Sequence, residues 1–351
     1  MLLDSKISQN PDYYEFERIG NMKNVSIIMP TFNKARMLDL TLLGFKFQEY
    51  KDFEIVIVDD GSSDNTIEVV KEYEKKLDIK YIYQENTGRA GARNTALKAA
   101  IGNYIIFNDD DRIPCRQFLQ KHIEQLMKNE CLITFGEKHE LLTCYSDKLQ
   151  LKIKDLMNFF KSDQNRLKDI IFANGKELFD KNDLIKNFEQ VLNKWDFCIC
   201  FDTYVDIYKD MGNDLKEFGL AFMVATTANL GYNRKKFPDV KFDENYRGWG
   251  MEDTDFVYQL DIKGCEYLFL PEAKNYHQIH ERSSDLLVQL YTNIRYFCIK
   301  YSNIRSFLFS AVCKQIIGMG EANESLKEIE KNPNSLLAQS YINLCEYMSK
   351  Q

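Results

Sequence analysis

Carboxylates dominate the chemistry this chain could do. Asn108-Asp109-Asp110-Asp111 sets three acids in a row after an apolar run, and Asp59-Asp60-Gly61-Ser62-Ser63 closes another such run. Crowded carboxylates repel one another unless they share a cation, so the triple aspartate is a candidate hard-metal site for Mg2+ or Mn2+. A lone Asp-Asp-Gly turn reads better as a solvated surface loop; two acidic clusters at two strand ends tip the balance to the metal. Gly248-Trp249-Gly250-Met251-Glu252-Asp253-Thr254-Asp255 puts an aromatic platform beside three candidate general bases, Glu252, Asp253 and Asp255. An acidic helix start, which the helix dipole favours, would look the same. His277 and His280 are two of only 4 histidines; following a strand-like run, they are candidates to complete a metal shell. Asn86 to Asn94 is a loop running into a helix, where Gly88 and other small residues admit a close backbone approach and Arg93 offers a fork suited to phosphate oxygens. It matches neither the Walker loop nor the GxGxxG fingerprint, and a helix start with a surface arginine reads equally well.

Positioning these groups falls to alternating strands and helices. Val25–Met29 is an apolar run stopped by Pro30; Leu38, Leu42 and Phe45 recur at helical spacing; Phe53–Val58 is β-rich. The next helix is expected from Asp64 or Asn65, with Glu68 placed as in a capping box and Ile67, Val70 and Leu77 on its buried side. Ile79–Tyr83, Tyr104–Phe107 and Leu132–Phe135 read as further strands, and Tyr267–Leu270 as one ended by Pro271. Repeated βα units imply an α/β fold with a mostly parallel sheet flanked by helices. In such a sheet ligands sit beyond the carboxyl ends of the strands, so Pro30-Thr31-Phe32-Asn33, the Asp60 turn and the triple aspartate are expected to share one crevice. The organisation reads as an N-terminal extension (1–24), a first half (25–136), a charged helical insert (137–216) with Leu151, Ile153, Leu156, Phe159 and Phe160 on one face, a second half (217–282) and a helical C-terminal region (283–351).

Composition narrows the partners. With 46 Lys and Arg against 53 Asp and Glu, the net charge of −7 argues against a broad nucleic-acid-binding surface. Nine scattered cysteines without a CxxC pair suggest reduced, mostly buried thiols and a cytoplasmic protein. No apolar run is long enough to span a bilayer. Phe307-Leu308-Phe309 and neighbouring basic residues offer a peripheral membrane contact, although a helix-packing core is the plainer reading of that stripe. Oligomeric state is not legible.

At these residues the chain resembles the family 2 glycosyltransferases of GT-A (Rossmann-like) fold. The resemblance spans residues 25–282 and takes in, in the family's order, Val25 to Asn33, Val58 to Asp64, Asn86 to Asn94, the DxD element Asp109-Asp110-Asp111, and a GWGxED segment at Gly248 to Asp253 like that of galactosyltransferase-type and chondroitin-polymerase-type members. It implies that Thr31 and Phe32 border the base, that Asp60 recognises uracil or ribose, and that Arg93 approaches the nucleotide or diphosphate. Asp109 would approach the ribose or sugar. The implied nucleotide-sugar set is Pro30, Thr31, Phe32, Asn33, Asp60, Gly88, Arg93, Asp109, Asp110, Trp249 and Gly250. The implied metal set is Asp111 and His277 with Asp109, and the carboxylates for catalysis are Asp253, as general base, and Glu252. Asn108 and Arg112 depart from the family's usual residues around the DxD.

The resemblance implies an inverting, metal-dependent hexosyl- or N-acetylhexosaminyltransferase that uses a UDP-sugar donor and Mn2+ or Mg2+. Its acceptor would be a glycan, lipid-linked sugar or peptide. Two alternatives are a nucleotidyltransferase, which would want a glycine-rich basic loop after the first strand, and a non-catalytic nucleotide-sugar-binding protein, which could dispense with the acids at 109, 111 and 253.

Overall fold

The structure, a computed structural model, describes residues 24–145, 149, 153–173, 176–197, 205–281 and 285–349. The N-terminal extension apart from Asn24, and Leu151 in the insert, lie outside the described residues.

The first half is built from βα units: β1 (Val25–Thr31), α1 (Ala35–Lys46), β2 (Phe53–Asp59), α2 (Thr66–Tyr73), β3 (Ile79–Tyr83), α3 (Gly88–Ala99) and β4 (Tyr104–Asn108). These strands pair in parallel in the order β3-β2-β1-β4. Odd residues of β1 (Val25, Ile27, Met29) enter one core with Leu38, Leu42 and Phe45 of α1, while Ile28 enters the other with Ala92 and Ala96 of α3. Both faces are thus covered, which is why the strands read as continuous apolar runs. Pro30 does not stop β1. Pairing with β4 ends at Ile28 while the register with β2 runs to Thr31, so the proline falls where one neighbour has already left. The capping box expected for α2 is absent: Asn65 is the N-cap without a side-chain bond, and Asp64 instead accepts from Thr66 N (3.2 Å) and Ala35 N (2.9 Å), tying α2 to α1.

The sheet continues through β5 (Arg112–Pro114), α4 (Phe118–Leu126) and β6 (Leu132–Leu141), then helices α5 (Ile153–Ser162), α6 (Gln164–Ala173), α7 (Lys181–Trp195) and α8 (Val205–Met211). After these come β7 (Asn229–Asn233), α9 (Glu252–Ile262) and β8 (Glu266–Gln278), and the full order is β3-β2-β1-β4-β7-β6-β8-β5. β7 is antiparallel to β4 and β6, and β5 is antiparallel to β8. β6 runs past Phe135 to Leu141, and β8 runs through Pro271 to Gln278, each longer than its apolar run because its second half lies beside the other, paired from Lys138↔Asn275 to Leu141↔Gln278. In the insert, Phe159 is buried, Leu156 and Phe160 are half-buried, and Leu184, Phe188, Leu192 and Trp195 join the core beneath α1.

The C-terminal helices are α10 (Leu286–Tyr301), α11 (Ile304–Cys313), α12 (Met319–Lys331) and α13 (Leu336–Ser349). Phe307, Leu308 and Phe309 are buried there, Phe309 against Phe222 and Phe297, so the stripe is core and cannot face lipid. Among the described residues no helix is long and apolar enough to cross a membrane. Cys115, Cys131, Cys144, Cys265, Cys298 and Cys313 are free thiols, and among these only Cys298 is fully buried, fewer than composition suggested.

Candidate active site

Three strand ends meet where sequence placed them. Asn33, held at a left-handed φ of 52°, donates its N–H to Ser62 Oγ (2.8 Å) and accepts from Ser63 N (2.8 Å), which locks the turn after β1 to the turn after β2. Thr31 is buried and Phe32 is 47% exposed at the crevice edge. Lys34, one residue beyond that motif, reaches across to the third strand end and donates to Asp111 Oδ2 (2.5 Å) and Asp110 Oδ1 (3.5 Å). Sequence reasoning passed over this lysine, although its position directly after the Pro30–Asn33 motif was the available signal.

Asp60 is committed to the protein. Its carboxylate accepts from Thr87 N (2.9 Å), Gly88 N (2.8 Å) and Gln84 Nε2 (2.7 Å), capping α3, while Asn86 Nδ2 donates to its carbonyl (2.9 Å). Gly88, at a φ of 85°, begins the helix itself. Asp60→Ala is therefore expected to lower stability by about 1–2 kcal/mol, as loss of a helix-capping oxygen does, and to weaken nucleotide binding by loosening this loop. Urea midpoints and UDP calorimetry check both; an unchanged midpoint would show that the cap is dispensable.

Arg93 joins the two halves. Buried at 5% exposure, it spans Asp109 (3.0 Å) and Glu252 (3.0 Å). Its neighbour Asn94 accepts from Phe242 N (2.9 Å) and donates to Phe242 O (2.9 Å) and Glu244 (2.7 Å). Asp109 is thus held by Arg93, with Arg112 at 3.9 Å, and lies outside the group of possible metal ligands. Glu252 and Asp253 open α9, whereas Asp255 is fully buried elsewhere, bound by Tyr246, Lys300, Tyr301 and Gln259 at 2.7–3.1 Å. Burial and the neighbouring Glu252 charge push the Asp253 carboxyl up to about 6, against the pull of Arg93. A carboxylate poised there is a competent proton acceptor near neutrality. A cavity of about 70 Å3 lies between Gly88–Ala90 and Tyr246–Gly248, with Glu252 on its wall.

The possible metal ligands are Asp111, His277 and His280, whose ligand atoms lie within 4.8 Å of one another. A strand ladder brings them together: β5 pairs Arg112 with His277, and Gln278 N donates to Asp111 O (2.8 Å). A shared ion is therefore not needed to explain why residues 166 positions apart (277 minus 111) meet. Each imidazole is oriented by a bond at Nδ1, His277 to Glu140 Oε2 (2.7 Å) and His280 to Glu281 O (2.7 Å), so both Nε2 atoms face Asp111 Oδ2, at 3.6 and 3.4 Å. Two oriented imidazoles and a carboxylate fit a divalent transition ion, with Glu140 the outer carboxylate such sites use to fix a tautomer. Burial disfavours charge on Asp111, yet His277 and Lys34 more than offset this and hold its carboxyl well below the usual range. Burial lifts Asp110 to about 6 despite Lys34, with the Asp111 charge adding to the rise. The departures around the DxD also have a use: Asn108 Nδ2 donates to Asp109 O (2.9 Å) and Arg112 O (2.8 Å), shaping the acidic turn, and Asn275 Nδ2 donates to Asn108 Oδ1 (2.9 Å). Asn275 Oδ1 in turn accepts from Arg112 (3.2 Å).

A parallel half-sheet, an acidic turn with oriented imidazoles and a carboxylate pair opening a further helix are the features of a glycosyltransferase of GT-A architecture. Residues 26–173 match the family model Glycosyl transferase family 2, and the chain is a glycosyltransferase. Among curated relatives, the uncharacterised glycosyltransferase YfnE of Bacillus subtilis is 28% identical over 291 residues, covering 80% of this chain and 71% of the relative. Chondroitin synthase of Escherichia coli is 30% identical over 258 residues, covering 72% of this chain. The chain spans only 34% of that enzyme's length, and 25% of the Pasteurella multocida chondroitin synthase. Among solved structures, S. aureus TarS 1–349 in complex with UDP-GlcNAc shares the fold at a TM-score of 0.53 and 15% identity, covering 92% of this chain and 79% of that one.

Proposed function

We propose that the protein transfers a sugar from a UDP-sugar to an acceptor hydroxyl, with inversion and with a divalent cation, Mn2+ before Mg2+ because two imidazoles take part. The observation that carries this reading is the Asp109–Arg93–Glu252 ion-pair chain, which ties the turn bearing Asp111, with His277 and His280 grouped around it, to the helix start bearing Asp253. The complex of TarS with UDP-GlcNAc supports a UDP-linked donor. Identification as a glycosyltransferase sets aside the nucleotidyltransferase and the non-catalytic binding protein.

In this reading the strand ends after β1 and β2 border the nucleotide, with Pro30, Thr31, Phe32 and Asn33 on one wall and Asp60 holding the opposite loop. Arg93 and Asp110 flank the diphosphate and Asp109 the sugar, while Trp249 and Gly250 shape the acceptor side. Asp253 accepts the proton of the acceptor hydroxyl as its oxygen attacks the anomeric carbon, and Glu252, neutralised by Arg93, positions the sugar. A cation at Asp111, His277 and His280 would supply charge stabilisation to the departing diphosphate. The acceptor is a glycan, lipid-linked sugar or peptide hydroxyl.

The test measures UDP release from UDP-GlcNAc, UDP-GalNAc, UDP-Gal and UDP-Glc with a panel of saccharide acceptors, with Mn2+ and with EDTA, and reads the product anomer by NMR. Mn2+-dependent release giving a β-glycoside from an α-linked donor is expected. EDTA-insensitive transfer, or a retained anomer, would overturn the mechanism.

A further inference from the structure

The loop that carries Trp249 and leads into Glu252 and Asp253 has a backbone unsuited to standing alone. Gly248 (φ 71°), Gly250 (φ 91°) and Met251 (φ 80°) are all left-handed, and Met251 pays the steric penalty a side chain meets there. What holds this backbone comes from α10. Asn293, 4% exposed, donates through Nδ2 to the carbonyls of Arg247 (2.9 Å), Trp249 (3.2 Å) and Gly250 (2.9 Å), and its Oδ1 accepts from Arg247 N (3.4 Å). Gln289, one turn earlier on the same face, accepts from Trp249 N (2.8 Å) and is itself steadied by Asp285 (2.7 Å). The contact is close enough to dictate the glycines: a Cβ on Gly248 would stand 2.4 Å from Gln289 Oε1, and one on Gly250 3.0 Å from Leu290.

We infer that Asn293 and Gln289 are positioning residues that hold the Arg247–Gly250 loop, and through it the first turn of α9, in the geometry the transfer requires. The C-terminal helical region thereby gains a part in the reaction without touching substrate. The inference rests on Asp253 acting as the base, because α9 begins directly after the loop and a shift of its first turn moves Glu252 away from Arg93 and Asp253 away from the acceptor. A misplacement of about 1 Å at such a distance from the chemistry can cost on the order of 10²-fold in rate.

The experiment compares wild type with Asn293→Asp, which keeps the acceptor for Arg247 N and removes all three donated bonds, and with Gln289→Met, which removes the one bond to the loop, and that to Asp285, at a half-buried position. Amide exchange across residues 247–251 and the emission of Trp249 are read without substrate. The chain has only two tryptophans and Trp195 is 2% exposed, so a Trp195→Phe background isolates the signal. Asn293→Asp is expected to speed exchange in this segment and red-shift Trp249. It should also lower kcat on the order of 10²-fold while leaving UDP affinity unchanged, with Gln289→Met moving every readout the same way by less. If Asn293→Asp does not fold, Gln289→Met decides. Wild-type exchange, emission and kcat in a folded variant would overturn the inference. Absence of sugar transfer by the wild-type protein would instead count against the proposed reaction, while the exchange and emission arms still report whether α10 holds the loop.

Discussion

Asp253→Asn abolishes transfer almost completely, by an expected 10²–10⁴-fold in kcat, the usual range for loss of a general base, while UDP-sugar affinity is nearly unchanged. Asparagine keeps the shape and the bond from Thr254 N (2.8 Å) but takes no proton. Glu252→Gln acts differently: it removes the Arg93–Glu252 ion pair and leaves the Arg93–Asp109 pair, so its loss appears mainly in substrate binding. The pH profile separates the two roles. With the Asp253 carboxyl raised to about 6, turnover by the wild type falls as pH drops through 6 because the base becomes protonated. Stability runs the other way. A folded-state value above the ordinary 3.8 means that ionising Asp253 opposes folding, so Asp253→Asn is expected to melt higher than wild type above about pH 6 and to lose that advantage below about 4. Near-normal transfer by Asp253→Asn with an inactive Glu252→Gln would move the base to Glu252, and activity in both would remove the general-base step.

The second large effect is at the cation site. Asp111→Ala, His277→Ala and His280→Ala are each expected to eliminate Mn2+-dependent turnover and to weaken Mn2+ binding, measured by calorimetry with UDP present. UDP alone continues to bind. The metal set implied by the resemblance held His277 and not His280, but both Nε2 atoms face the same Asp111 oxygen, so loss of either is expected to be felt. Glu140→Gln should weaken the ion on the order of 10–100-fold, as loss of an outer-shell partner does. Full Mn2+ affinity in both histidine variants would place the ion elsewhere.

Much of this was legible because the signals are local. Apolar runs ending in Asn33, Asp60 and Asp109–Asp111 mark strands whose ends must share a crevice in a parallel sheet, and they do. What was missed is what folding brings from a distance or hides in plain residues. Glu140 lies in the extension of β6 past its apolar run, where alternation no longer signals a strand. Asn293 sits among the residues of an amphipathic helix, where nothing in its neighbourhood announces three carbonyls waiting across the fold. Pro30 and Pro271 were read as stops because a proline denies one hydrogen bond, yet β1 and β8 accommodate theirs. Asp60 shows the opposite limit: its position in the motif was plain, but only the packed loop reveals that its oxygens already serve α3.

The ladder between β5 and β8 has a bearing on how the enzyme comes into being. During synthesis strands β1 to β4 leave the ribosome first, and their pairings join segments close in sequence. Asp111 emerges with them, but its two imidazole companions follow more than 160 residues later, and Asn293 later still. A nascent chain, or a fragment cut anywhere before β8, therefore carries the acidic turn without the two imidazoles that the β5–β8 ladder sets against Asp111.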